Sequence, residues 1–152
     1  MLVTKFDQWR LSMSMSIADI RNFLETALPA VTVDDSTTDL FFFAGEERKI
    51  PFATIVTHDT AFDSASNLKR GDLFRLNLVT DKETFEHLFG ISSPKALGDA
   101  DFDYQALDRL FPHPLYGKMR WISVINPEAV WENCQDLLVK ARQIRELRPN
   151  SW

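Results

Sequence analysis

Ile17, Ile20, Leu24, Ala27 and Leu28 recur at helical spacing, Ser16 and Asp19 form a capping pair ahead of them, and Pro29 stops the pattern. An amphipathic helix is therefore predicted to open the ordered part of the chain. Over residues 30–57 the helical period gives way to alternation. Val31 and Val33 alternate with polar neighbours, and the runs DLFFFAG and KIPFATIVT flank a Gly-containing connection, as in a hairpin. Pro51 marks a strand beginning or an edge. A polar, turn-prone stretch, HDTAFDSASNLKRG, precedes a fourth strand in which Phe74, Leu76 and Leu78 alternate with Arg75 and Asn77. Side chains of a strand point alternately to its two faces, so Arg75 and Asn77 share the face opposite the apolar set.

Thr80 and Glu83 then have capping-box spacing, Phe85, Leu88 and Phe89 give a short helix its apolar side, and Gly90 ends it. A loop over 91–101 and a second short helix capped by Asp103, carrying Tyr104, Leu107, Leu110 and Phe111 up to Pro112, are expected next. Met119 to Asn126 reads as a last strand covered on both faces. Asn126, Pro127 and Glu128 have the composition of a helix start, and Val130, Cys134, Leu137, Ala141 and Ile144 continue a stripe to Pro149. The order predicts an α+β fold: a single antiparallel or mixed sheet of about five strands, with the N-terminal helix and the long C-terminal helix packed on it. Residues 16–149 read as one domain behind a weakly ordered extension, 1–15.

Composition changes this picture little. With 152 residues, 45% of them hydrophobic, the chain is long enough to bury about 70% of its unfolded surface without disulfides. Twelve Phe and four Trp predict an aromatic interior. A net charge of -5 disfavours a nucleic-acid partner, and Lys140, Arg142, Arg145 and Arg148 fall in the last turns of a helix, where cations offset its dipole. The lone Cys134 and the absence of a run of about 20 apolar residues predict a soluble, cytoplasmic protein without a membrane partner.

Candidate chemistry gathers in three polar places. His58, Asp59 and Asp63 lie in the loop after the third strand. Arg70, Arg75 and Asn77 border or occupy the fourth. His113 and Tyr116 lie in a turn where Pro112 and Pro114 restrict the backbone. Arg70, Arg75 and Asn77 could hold a carboxylate or phosphate, while the plainer reading of Arg75 is an ion pair with Asp59 or Asp72. His58, His113 and an aspartate could instead serve a hydrolase or a metal-dependent enzyme. No H-x-x-x-H, paired-cysteine, G-x-S-x-G or phosphate-loop spacing occurs, so neither metal nor cofactor is predicted. Three consecutive Phe residues must place rings on both sheet faces. Phe42 could accordingly mark a homodimer interface.

The segments PFATIV, LKRGDLFRLNL, TFEHLFG, DYQALDRLFPHPLYG and WISVINP, in this order, resemble a family of small bacterial proteins known only as a domain of unknown function. The likeness covers residues 16–148. It implies a bacterial, soluble, single-domain protein and carries no catalytic residue set. The residues themselves favour binding of a small anionic or polar ligand among the 58–71 loop, the Arg75 and Asn77 face and the 112–116 turn.

Overall fold

A computed structural model describes residues 15–151. The extension expected at 1–15 falls outside the described residues except for Met15, whose N–H donates to the Pro127 carbonyl at 3.3 Å. Helix α1 (Ile17–Ala27) leads into strands β1 (Val31–Asp34), β2 (Leu40–Ala44), β3 (Ala53–Val56) and β4 (Arg75–Val79). Helices α2 (Lys82–Phe89) and α3 (Pro94–Asp99), strands β5 (Phe111–Pro112) and β6 (Trp121–Ile125), and helix α4 (Trp131–Leu147) complete the order. The strands form one open antiparallel sheet in the order β1-β2-β3-β4-β6-β5, so there are six strands where the sequence suggested about five. The extra one, β5, is a two-residue edge, a position that tolerates Pro112 because no ladder partner is needed on its outer side.

Alternation along the strands divides the sheet into two faces. Phe42, Ile55, Leu76, Leu78, Ile122 and Val124 join Ile20 and Leu24 of α1 and Cys134, Leu138 and Ala141 of α4 in one continuous core. Burying each of the larger side chains contributes about 1.5–3 kcal/mol. Phe42 has no exposed surface, which removes it from any interface with another chain. Its neighbours Phe41 and Phe43 take the opposite face. Among the described residues no helix is long and apolar enough to cross a membrane.

Local signals set several element ends. Ser16 and Asp19 form the expected capping box, at 3.1 Å in each direction. Gly90 ends α2 with φ +69, a conformation that costs a glycine nothing. Elsewhere long-range contacts override the local reading. The cap of α2 is Asp81, which accepts from the Thr84 N–H at 2.8 Å, because Thr80 turns its hydroxyl to the Arg120 carbonyl at 2.6 Å. The expected loop over 91–101 contains α3, with Ser93 as its cap and Pro94 in the first turn.

The expected helix over 103–111 does not form. Asp103 instead closes a short turn by accepting from the Gln105 N–H at 3.0 Å, and Phe111 pairs with Ser123 in the sheet. Asn126 is likewise no helix cap. Its side chain accepts from the Phe74 N–H and donates to the Asp72 carbonyl, while Asp108 accepts from the N–H groups of Glu128, Ala129 and Val130 ahead of α4. A carboxylate delivered from another loop thus supplies what the local sequence was expected to provide. Two cations of α4 are tied to backbone rather than only facing its dipole, while Lys140 pairs with Asp81 at 3.3 Å. Arg142 donates to the Pro29 carbonyl, and Arg145, 3% exposed, donates to the Pro51 carbonyl at 3.2 Å.

Candidate functional site

Cross-strand register builds a row, polar except for one phenylalanine, into the face away from α1 and α4. Asp34, Phe41, Thr54, Asn77 and Ser123 stand opposite one another in β1, β2, β3, β4 and β6. At its centre the Asn77 amide oxygen accepts from Ser123 Oγ at 2.7 Å and from Arg75 Nε at 2.8 Å, and its Nδ2 donates to Thr54 Oγ1 at 3.0 Å. Both assignments are mutually consistent, so the amide orientation is fixed by its partners.

The loop between β3 and β4 closes over this row. Its tip is a self-contained turn in which Thr60 and Asp63 exchange backbone hydrogen bonds, and Thr60 Oγ1 also accepts from the Asp63 N–H at 3.0 Å. That turn presents the Asp63 carboxylate to Arg75 through both oxygens, Nη1 to Oδ1 at 2.9 Å and Nη2 to Oδ2. Ser66, buried in the same loop, accepts from Arg75 Nη1 at 3.0 Å. The Arg75 side chain is 1% exposed. Its charge is thus neutralised by a bidentate partner, and the partner is Asp63, neither Asp59 nor Asp72.

His113 enters from the opposite side. Its own N–H continues the β5–β6 ladder to the Trp121 carbonyl at 2.9 Å, and the chain then turns sharply so that Gly117 N–H meets the His113 carbonyl. A Cβ on Gly117 would approach Pro112 and Leu97 side-chain carbons to 3.1 Å, so those neighbours would have to give by a few tenths of an ångström to admit a side chain here. Within the turn, the N–H groups of Leu115 and Tyr116 both donate to His113 Nδ1 at 3.0 Å. Arg75 Nη2 lies 3.3 Å from Nε2, and the Tyr116 ring sits against the imidazole with centroids 4.8 Å apart.

These surroundings set the charges. Burial, reinforced by the positive charge of Arg75, pushes the His113 imidazole down to about 3, with Asp63 opposing. Burial would raise the Asp63 carboxyl, yet its hydrogen bonds and ion pair with Arg75 hold it below the ordinary carboxylate value. The folded imidazole therefore titrates below the 6.5 of its free counterpart, so between those values the unfolded chain binds a proton that the native one refuses. The stability that the neutral ring contributes is fully present above about pH 6.5 and is lost as pH falls toward about 3. Urea unfolding across that window is expected to show this slope in the wild type and a flatter one in His113→Asn. Equal slopes would remove the buried neutral ring from the account.

Above these groups lies a cleft of about 390 Å³. Thr54, Asn77, Asp63 and His113 supply its polar surface, Phe41, Phe43, Tyr116 and Trp121 its aromatic walls, and Asp34 and Lys49 one charge of each sign. That volume and that mixture of apolar walls with a few fixed polar groups match what small-molecule sites require.

Of the eight residues singled out in the sequence, Asp63, Asn77, His113 and Tyr116 line this cleft, and Arg75 binds three polar side chains of the same network. The other three lie elsewhere in the loop architecture. His58 is exposed, with Nδ1 3.5 Å from Asp39 Oδ1. Asp59 accepts from the Leu68 N–H at 3.0 Å, and Arg70 donates to the Asn67, Ser66 and Gln105 carbonyls. Asp59 and Arg70 shape the loop that carries Asp63. Among the described residues no group of three or more His, Cys, Asp or Glu side chains could hold a metal ion. Thr54, Ser123, Phe41 and Phe43 were not singled out as a site, and their signal was register: a lone Ser in the apolar run WISVI sits opposite Asn77.

The model of the family described as Family of unknown function (DUF6194) matches residues 15–151. No curated protein and no solved structure matches the chain.

Proposed function

The chain belongs to DUF6194, a family of unknown function, and from that premise we propose that it is a small-molecule binding protein whose site is the cleft over Asn77 and His113. The observation that carries this reading is the cost of the site itself. A guanidinium, a carboxylate, an amide and an imidazole are ordered beneath one concavity, where apolar residues would fold at least as well. Such violations of core pattern mark function more often than stability. The aromatic walls favour a flat, partly apolar molecule with a polar head, and the balanced charges of Asp34, Asp63, Lys49 and Arg75 favour one of low net charge.

Residues 16–149 act as one domain in this reading, since one sheet and one main core organise them. The buried single thiol of Cys134 suits a reducing, cytoplasmic setting.

Benzyl alcohol serves as a test probe, being flat, apolar at one end and polar at the other. Titration is expected to move the backbone amide signals of Thr54, Asn77 and Tyr116 in ¹H–¹⁵N spectra, with saturation at millimolar concentration as befits a ligand of few atoms. Thr54→Phe, which fills the cleft from a strand position suited to aromatic residues, is expected to abolish those shifts. Shifts confined to other surfaces, or unchanged in Thr54→Phe, would rule out the cleft as the site.

A further inference from the structure

Three N–H groups converge on the two ring nitrogens of His113: those of Leu115 and Tyr116 on Nδ1, and one from Arg75 on Nε2. A neutral imidazole accepts at one nitrogen only and donates from the other. The two backbone donors are fixed by the turn between Pro112 and Gly117, so Nδ1 is the acceptor and the ring proton resides on Nε2. That proton confronts an N–H of Arg75 Nη2 at a separation of 3.3 Å, and neither group can accept from the other. The remaining Nη2 hydrogen is held by Asp63. A cationic ring does not resolve the conflict, because it would add a proton at Nδ1 facing two more donors, and burial beside Arg75 opposes that charge.

We infer that His113 Nε2–H and Arg75 Nη2–H form a two-donor seat for a single oxygen acceptor, so that the ligand of the cleft carries a carbonyl or carboxylate oxygen. This deepens the binding reading above and rests on it. An oxygen beside the facing pair lies within ordinary hydrogen-bond distance of both nitrogens but off the line that joins them. It accepts from both once a small rotation of the imidazole or the guanidinium turns the two N–H groups out of opposition toward it, one bond coming from a charged donor. His113 lines the cleft, as do Asp63 and Asn77, which flank Arg75 on either side of its guanidinium. The ring is then a neutral donor held in one tautomer by its own backbone, with Asn77 and Thr54 setting the neighbouring surface. Because Arg75 and Asp63 cancel, the seat itself selects for an acceptor oxygen rather than for a charge, and both a carbonyl and a carboxylate head of a ligand of low net charge fit it.

Three probes of similar shape separate the possibilities: benzoate, acetophenone and benzylamine, titrated into the full chain and followed at the Asn77 and His113 amides. At least one of the two oxygen acceptors is expected to bind about tenfold or more tightly than benzylamine, the scale of a hydrogen bond to a charged group. Benzoate ahead of acetophenone would identify a carboxylate ligand, and the reverse order a carbonyl one. The advantage is expected to vanish in His113→Phe. Long-range ¹H–¹⁵N spectra of the wild type, which need neither ligand nor variant, are expected to show Nε2 protonated and Nδ1 bare. An Nδ1–H tautomer, benzylamine binding as well as the acceptors, or a preference that survives His113→Phe would overturn the inference while leaving the cleft as a site. Failure of all three probes to bind would overturn both.

Discussion

Asp63→Ala is expected to cost about 3 kcal/mol of folding stability, lowering the midpoint of thermal unfolding by roughly 6–12 °C. The reason is asymmetry. Arg75 stays buried whatever happens to its partner, with a 1% exposed side chain, and removal of the carboxylate leaves a cation among Asn77, Ser66 and a neutral imidazole that cannot neutralise it. The cost sits at the low end of the range for orphaned buried charges because the Asp63 side chain is 18% exposed, which lets water reach the opening it vacates. Removing the cation as well should restore part of the loss. Arg75→Leu, Asp63→Ala is therefore expected to be more stable than Asp63→Ala alone, although Asn77 loses a donor. Urea unfolding of the four proteins in the cycle decides it, and a double variant whose loss equals the sum of the singles would show that the pair is not coupled.

Phe42→Ala is expected to cost about 3–5 kcal/mol, because a ring with no exposed surface leaves a cavity between β2 and the helices that the sheet cannot collapse to fill. Phe41→Ala, one residue away but in the cleft wall, should cost about 1 kcal/mol, since its ring is only partly buried. The comparison isolates facing from residue type. Equal losses in urea midpoints would mean that the two faces of β2 are not distinguished as the register requires. The same pair separates stability from binding: Phe41→Ala is the variant that should weaken benzyl alcohol while the protein stays folded.

The parts of the site differ in how far the sequence could announce them. The alternation of Leu76 and Leu78 with Arg75 and Asn77 was legible because a strand assigns faces by parity alone. The restriction of His113 by flanking prolines was legible for a similar local reason. The partner of Arg75 was not. Asp59, Asp63 and Asp72 are all near in sequence, and which of them meets the guanidinium depends on how the Thr60–Asp63 turn folds the loop back across β4. Likewise His58, a companion to His113 on composition, ends beside Asp39 because the antiparallel pairing of β2 and β3 sets the residue before β2 against those after β3.

What the sequence by itself determined was the set of elements whose signals lie within a turn or two: α1 with its Ser16 and Asp19 box, the two-faced β4, and the stop at Gly90. Their energies come from neighbours along the chain, so spacing suffices to read them. Tertiary structure alone decided that residues 103–112 become a turn and an edge strand, that Asp108 and not Asn126 meets the approach to α4, and that Asp63 and His113 face each other across Arg75. Apart from the local Asp103–Gln105 turn, each of those outcomes pairs groups far apart in sequence, and the register of the sheet and the path of its loops fix which groups meet. A buried donor or acceptor must find a partner somewhere, and local sequence does not say where.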